Sequence, residues 1–114
     1  MDTKQVIDAL AALAQDSRLA IYRLLMQGGP AGLPAGAIAE ALDMPASSLS
    51  FHLAHLARAG LVTQSRASRS IVYAVNVAGM NDLMAYLTEN CCGGDAAACA
   101  PTAQPRAAKR RRSA

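Results

Sequence analysis

The chain is poor in aromatic residues and has no long apolar run. It holds no Trp, one Phe and three Tyr in 114 residues, although 53% of its residues are hydrophobic. Small domains with so modest a core often gain stability by dimerising. No stretch approaches the roughly 18 consecutive apolar residues of a membrane span, and the start, Met1-Asp2-Thr3-Lys4, lacks the apolar segment of a secretory signal. We therefore expect a cytoplasmic protein with no membrane partner.

Acidic residues are absent from the middle of the sequence. None occurs between Asp43 and Asp82, a window that contains three arginines and both histidines. The net charge of +3 conceals this arrangement, since five of the eleven basic residues lie in 106–114. Residues 1–105 carry six basic and eight acidic groups, a net of −2. A basic surface on a slightly acidic body favours a polyanion as partner.

The spacing of apolar residues predicts a chain that is mostly helical, with one β-hairpin. The predicted elements are helices over about 3–15, 16–28, 35–43 and 45–59, strands over 61–63 and 70–75, and a last helix over about 78–90. We expect Asp16-Ser17 to cap the second helix and the polar stretch 64–69 to join the strands. This order is typical of a winged helix-turn-helix domain, with the hairpin as the wing. We assign residues 1–92 to that domain and 93–114 to a flexible tail.

The fourth predicted helix has the composition of a helix that reads DNA. On a helical wheel Leu49, Leu53 and Leu56 share one face, which we expect to be buried. Small hydroxyls, basic groups and one exposed aromatic ring suit a major groove, and arginines in the wing suit phosphates or the minor groove. The candidate DNA-binding residues are Ser47, Ser48, Ser50, Phe51, His52, His55 and Arg58 in the helix and Arg66 and Arg69 in the hairpin.

Each of these residues also has a plainer interpretation. Serines at a helix start are commonly caps, and an arginine in a turn is commonly only solvated. His52 could bond to a phosphate or to the domain's own backbone. The two histidines are three residues apart, but their helix offers no Cys, Asp or Glu to complete a metal site.

Four segments of the sequence resemble the ArsR/SmtB family of metal-responsive repressors. They are DSRLAI at 16–21, SSLSFHL at 47–53, LARAGLV at 56–62 and RSIVY at 69–73. They occur in the family's order, and the resemblance covers roughly residues 3–92. It implies a homodimer, paired through the first and last helices, that binds operator DNA when unliganded and leaves it on binding an inducer.

The three cysteines lie close together near the C-terminus, at Cys91, Cys92 and Cys99. Their odd number argues against a disulfide framework, and the absence of a nearby histidine leaves them one ligand short of a closed zinc site. Three soft donors match an ion that binds three sulfurs, such as As(III) or Sb(III). Arsenous acid can condense with three neutral thiols, whereas zinc requires thiolates, which the C-terminal end of a helix disfavours.

The family's other metal sites are not present in this sequence. Residues 41–44, in the third predicted helix, hold no Cys-x-Cys pair, and the last helix has Asp82 and Glu89 but no histidine. A cysteine pair after the last helix, with one more downstream, resembles the C-terminal arsenic site of some members. We further expect Cys91 to continue the apolar stripe of the last helix after Leu87, while Cys92 points about 100° away from it. Because two thiols that far apart are poorly placed to meet one ion, the final turn must unwind or twist when metalloid binds.

The sequence therefore predicts an arsenite- or antimonite-responsive repressor with no organic cofactor, and not an enzyme. Two alternatives remain open. The cysteines could form a redox or persulfide switch on the same DNA-binding fold. The chain could instead be a nucleic-acid-associated structural protein that binds mainly through its basic tail. The plainest interpretation of the cysteines, as incidental tail residues, also stays open.

Overall fold

A computed structural model describes residues 1–94 of the chain. It has five α-helices, three strands and a short 3-10 turn. In chain order they are α1 (Thr3–Leu13), α2 (Asp16–Gly28), β1 (Leu33–Pro34), α3 (Ala35–Leu42), α4 (Ala46–Arg58), β2 (Val62–Ala67), β3 (Ser70–Val75), α5 (Val77–Leu87) and the 3-10 turn Cys91–Gly94. This order confirms the predicted winged helix-turn-helix. Within residues 1–94 no helix is long and apolar enough to cross a membrane.

Side chains fix where the first two helices begin. At α1, the Asp2 carboxylate accepts the Gln5 backbone N–H at 2.8 Å, and the Gln5 side chain accepts that of Asp2 at 2.8 Å. At α2 the predicted Asp16-Ser17 cap is wrong, because the extended residue Gln15 is the cap and accepts from the Arg18 N–H at 2.9 Å. Asp16 is instead the first helical residue, where its negative charge is favourable to the helix dipole.

The wing is longer and its turn is tighter than the sequence indicates. The predicted strand at 61–63 and loop at 64–69 are wrong in extent, since β2 runs on to Ala67 and pairs with β3 as far as Ser70. The connection is reduced to Ser68 and Arg69, and Ser68 adopts the left-handed conformation with φ 61°. Polar residues at 64–66 concealed the strand, because both faces of the wing are largely exposed.

A third strand, β1, was not predicted. It pairs antiparallel with β3, through Leu33 with Tyr73 and Pro34 with Val72, and gives the sheet the order β1-β3-β2. Gly32 permits this close pairing: its φ is +76°, and a Cβ there would lie 2.5 Å from the Tyr73 carbonyl oxygen.

The face of α4 that is predicted to be buried packs into the core. Leu49, Leu53 and Leu56 are all buried, as the sequence indicates. They lie in one apolar cluster with side chains of α2, α3 and the start of β2; the largest fully buried members are Ile21, Leu25, Ile38, Leu49, Leu53, Leu56 and Leu61. The opposite side of α4 is thereby left facing outward.

The chain divides into two compact units, with the boundary between Leu83 and Met84. In the second unit α5 ends at Leu87, earlier than the predicted Asn90. The Thr88 hydroxyl donates to the Met84 carbonyl at 2.7 Å, and Asn90 is left-handed with φ 57°. The prediction that Cys91 continues the α5 stripe is therefore wrong, because the helix ends at Leu87, four residues before Cys91.

Candidate nucleic-acid interface

The outer face of α4 collects most of the residues expected to contact DNA. Ser47, Ser48, Ser50, Phe51 and Arg58 are exposed along it. The helix begins after Pro45, whose side chain forms no capping hydrogen bond. Unpaired N–H groups in a first turn attract phosphate oxygens. The start of α4 thus offers backbone donors and serine hydroxyls on one surface.

Phe51 is the most exposed large apolar side chain on this surface, with 62% of its area accessible. Its ring lies edge-on to its two neighbouring histidines, with centroids 5.5 Å from His52 and 6.5 Å from His55. The two imidazoles thus flank the ring on its own helix. An apolar side chain exposed in this way can contact a thymine methyl group in the major groove.

His52 is half-buried and bonded to the body of the domain. Its Nδ1 lies 3.3 Å from Nη1 of Arg18, on α2. A guanidinium can only donate, so Nδ1 must accept, and the imidazole proton lies on Nε2. Arg18 also donates from Nε to the Ala12 carbonyl at 2.7 Å, which connects the end of α1 to α4. His52 therefore has only Nε2 left for any contact outside the domain.

Arg18 is a residue that the site prediction omitted. The only sequence signal was its place in the DSRLAI segment, which gives no indication of the distant partner at position 52. Its contacts at 3.3 Å and 2.7 Å orient the side of α4 that carries the histidines. Arg18 thus contacts one of the candidate DNA-binding residues, His52, from the neighbouring helix.

His55 lies in a positively charged environment. Burial lowers the pKa of its imidazole, and the charges of Arg18 and Arg58 and the neighbouring His52 lower it further. A lowered pKa leaves His55 neutral near pH 7, because repulsion from the cations disfavours a further charge. A phosphate at this place would reverse the effect, since negative charge favours the protonated ring.

The wing supplies the remaining predicted basic residues. Arg66 is exposed on β2 and pairs in register with Ile71, and Arg69 is exposed in the two-residue turn. Both are free of the core at the far end of the hairpin. A short hairpin with arginines at its tip can contact phosphates beside the groove that a helix occupies.

The structure describes two of the three predicted metalloid ligands. Cys91 and Cys92 begin the 3-10 turn after α5, where Cys92 is exposed and left-handed with φ 54°. Cys99 and the basic segment 106–112 lie outside the described residues. Within residues 1–94 no group of three or more His, Cys, Asp or Glu side chains is arranged to hold a metal ion. His52 and His55 do not form such a group.

Comparison with known proteins places the chain among transcriptional regulators. Residues 13–65, which span α2 to β2, match the family model described as a helix-turn-helix domain. The chain is 43% identical over 89 residues to the "HTH-type transcriptional regulator NmtR" of Mycobacterium tuberculosis, an alignment that covers 75% of this chain and 72% of that protein.

Solved structures agree with the fold. A homodimeric winged helix-turn-helix DNA-binding domain of a possible ArsR-family regulator from Mycobacterium bovis is similar, with a TM-score of 0.61 and 29% identity over 82% of this chain and 86% of that one. A second neighbour is described as a possible transcriptional regulator for arsenical resistance. Its TM-score is 0.62, with 29% identity over 70% of this chain and 80% of that one.

Proposed function

The chain belongs to the ArsR/SmtB family of winged helix-turn-helix transcriptional regulators, and we propose that it is a dimeric repressor released from its operator by As(III) or Sb(III). The observation that carries the proposal is that one chain combines two features. These are the outward-facing helix α4 and a segment after α5 that contains three cysteines and no histidine. In this proposal residues 1–92 bind DNA and dimerise, and 93–114 supply the third thiol.

The DNA contact follows from the exposed surfaces of α4 and the wing. α4 enters the major groove with its serines and Phe51, while Arg66 and Arg69 contact phosphates. His55 and Arg58 lie at the other end of the helix, where the charge of Arg58 suits the DNA backbone and a phosphate would favour protonation of His55. Two subunits place two such helices about 34 Å apart, one helical turn of DNA, on a roughly palindromic site.

Dimerisation accounts for apolar side chains that the chain leaves exposed. In the first unit, α1 buries Val6, Ala9 and Ala12 on one side and exposes Ile7 and Leu10 on the other. In the second unit, Met84 and Leu87 of α5 are exposed. Apolar faces of this kind on two helices are suited to a symmetric contact with the same helices of a second copy. The neighbour from Mycobacterium bovis, which is described as homodimeric, supports dimerisation.

The inducer assignment rests on the chemistry of the donors. Cys91, Cys92 and Cys99 supply three soft sulfurs and no fourth ligand, a set that suits a three-coordinate metalloid better than tetrahedral zinc. The 3-10 turn at Cys91–Gly94 includes two glycines with positive φ, Gly93 and Gly94. This backbone is already non-helical and can turn towards a downstream thiol. The neighbour described as a possible transcriptional regulator for arsenical resistance supports the assignment.

Titration of the protein–operator complex with arsenite tests the proposal. We expect release of the wild-type protein by arsenite at about one ion per subunit, and a much weaker effect of Zn²⁺. The double variant Cys91→Ser/Cys92→Ser should bind the operator normally and stay bound. A full arsenite response in that variant would contradict the ligand assignment.

Two control experiments separate the alternatives. Release of the wild-type complex by diamide or a persulfide, with no release by arsenite, would establish a redox switch in place of metalloid binding. A chain truncated after residue 103 should keep its selectivity for the operator over unrelated DNA. If truncation abolishes binding, the basic tail is the main contact and the chain acts as a structural nucleic-acid protein.

A further inference from the structure

Asn76 connects the start of α5 to the segment that follows α4. Its side-chain Oδ1 accepts the Gly79 N–H at 3.2 Å, which caps the first turn of α5. Its Nδ2 donates to the Gly60 carbonyl at 3.0 Å, and its backbone N–H donates to the Leu61 carbonyl at 2.9 Å. One residue thus forms both a helix cap and two bonds across to the segment that follows the reading helix.

Gly79 makes this connection close. It is buried, and a Cβ at this position would lie 2.3 Å from the Gly60 carbonyl oxygen and 3.1 Å from Asn76 Nδ2. The nearest obstacle is a backbone oxygen, which cannot swing aside as a flexible side chain can. Any side chain at position 79 must therefore push the start of α5 away from Gly60.

The other side of the connection is anchored firmly. Gly60 ends α4 with φ +81°, and its N–H donates to the Ala57 carbonyl at 3.0 Å. Leu61, which follows, is fully buried and donates to the Leu56 carbonyl at 3.1 Å. Movement at Gly60 is therefore transmitted to the last turn of α4, where His55 and Arg58 lie.

A cavity of about 480 Å³ lies beside this connection. Asp8 of α1, Arg58 of α4 and Asp82 of α5 line it, and Gly60, Asn76 and Gly79 form part of its wall. The side chain of Asn76 links the segment after α4 to the start of α5 along this wall through its bonds to Gly60 and Gly79. We call Gly60, Asn76 and Gly79 the α4–α5 clamp.

We propose that Asn76 and Gly79 are positioning residues, which hold α5 against the end of the reading helix so that a displacement of α5 alters the presentation of α4 to DNA. The inference rests on the proposed function, in which α4 reads the operator and α5 leads into the cysteine segment. Neither residue contacts DNA or metalloid. Their role is to couple the two.

A glycine pair provides the first test. Gly79→Ala introduces the clash with Gly60, whereas Gly36→Ala, in α3, places its Cβ in open space and is the matched control. We expect Gly79→Ala to weaken operator binding by about 5- to 150-fold, the range of a typical allosteric coupling. Gly36→Ala should bind like the wild type. Wild-type affinity in both variants would overturn the proposal.

Asn76→Ser keeps the helix cap of α5 but removes the side-chain bond to Gly60. It keeps the proposal testable if Gly79→Ala fails to fold. Serine caps a helix about as well as asparagine, but its short side chain cannot reach the Gly60 carbonyl. We expect a melting temperature lowered by only about 4–8 °C, because one hydrogen bond is lost. Operator affinity should fall at least about 5-fold, with an unchanged dependence on salt, since the variant keeps every basic group that binds phosphate. Wild-type affinity in a folded Asn76→Ser protein would show that the residue is only a cap.

Arsenite distinguishes failure of the clamp from failure of the inducer assignment. In Asn76→Ser, arsenite should still bind, as measured by calorimetry, but should change DNA affinity by a smaller factor than in the wild type. An undiminished factor would overturn the coupling role. If arsenite fails to release even the wild type, the inducer assignment is wrong, while the arsenite-free affinities still decide whether the clamp positions α4.

Discussion

The outer faces of α4 and α1 differ in what they present to their surroundings. α4 exposes serines and an arginine around the single ring of Phe51, next to a histidine whose pKa is lowered by burial and neighbouring cations. α1 exposes Ile7 and Leu10, with Lys4 and Asp8 paired at 3.1 Å on the same helix. The two helices are of similar length and both bury a regular apolar stripe. The difference therefore lies in the surface that each leaves uncovered.

This contrast assigns a different partner to each helix. The outer face of α4 is polar, lies among cationic groups and begins with an uncapped first turn. It is suited to a polyanion, because phosphate oxygens can take the place of water as hydrogen-bond partners of these groups. An apolar face gains free energy only when another apolar surface covers it. We therefore expect changes on α1 to affect assembly first and DNA binding as a consequence, and changes on α4 or the wing to affect DNA binding alone.

The largest expected effect comes from a charge on the apolar face of α1. Leu10→Glu should dissociate the dimer, because pairing would bury an unpaired carboxylate. Since a single subunit has no access to the second half-site, operator affinity should fall by about 100-fold or more. Sedimentation equilibrium and fluorescence anisotropy measure the two quantities.

Leu19→Glu on α2 is the matched control for this change. Leu19 is 44% exposed and Leu10 is 42% exposed, so the two substitutions differ in position more than in exposure. The control should remain dimeric and bind DNA. Equal dissociation of both variants, or of neither, would remove the distinction between the faces.

A smaller effect is expected in the wing. Arg66→Ala and Arg69→Ala should each weaken DNA binding. Each should also make the plot of log affinity against log salt concentration shallower, by about 0.9 for every phosphate that the variant no longer neutralises. Arg23→Ala, which removes an exposed arginine from α2, should leave the slope as it is. Unchanged slopes for both wing variants would show that the wing does not contact phosphate.

The smallest effect is a pH dependence that arises from His55. Its pKa is lowered in the free protein, and a DNA phosphate should raise it, so binding takes up protons. Affinity should therefore rise as pH falls from about 7 to 5, across and below the ordinary histidine range. The folding stability of the free protein depends on pH in the opposite direction. Because the pKa of His55 is lowered by folding, the free energy of unfolding decreases as pH falls through this range.

His55→Gln should flatten the rise in DNA affinity, and anisotropy titrations at several pH values measure it. Phe51→Ala, which removes the ring beside His55 but keeps the imidazole, should bind less tightly yet retain the pH dependence. The same pH dependence in His55→Gln and wild type would exclude His55 as the proton-binding group.

The sequence predicts the elements whose apolar residues recur at regular spacing. It misses the elements that depend on one contact between distant residues. The α4 stripe of Leu49, Leu53 and Leu56 follows directly from helical spacing and is buried as expected. β1 consists of only two residues and exists because Gly32 lets the chain approach β3 closely. No periodic signal marks such a strand.

The candidate site divides in the same way. Residues such as Phe51 and Arg69 are exposed as predicted, since a polar face and a turn are local properties. The bond from Arg18 to His52 and the bond from Asn76 to Gly60 join positions 34 and 16 residues apart. Sequence spacing carries no record of such pairs. The early end of α5 was missed because helical spacing does not indicate the left-handed conformation of Asn90.

X-ray absorption at the arsenic edge tests the central claim most directly. On the 114-residue chain loaded with one arsenite per subunit, we predict a first shell of three sulfur atoms and no oxygen or nitrogen. Cys99→Ser should convert this shell to two sulfurs and one oxygen. A wild-type shell that retains oxygen, or a three-sulfur shell that persists in Cys99→Ser, would contradict the assignment of Cys91, Cys92 and Cys99 as the inducer site.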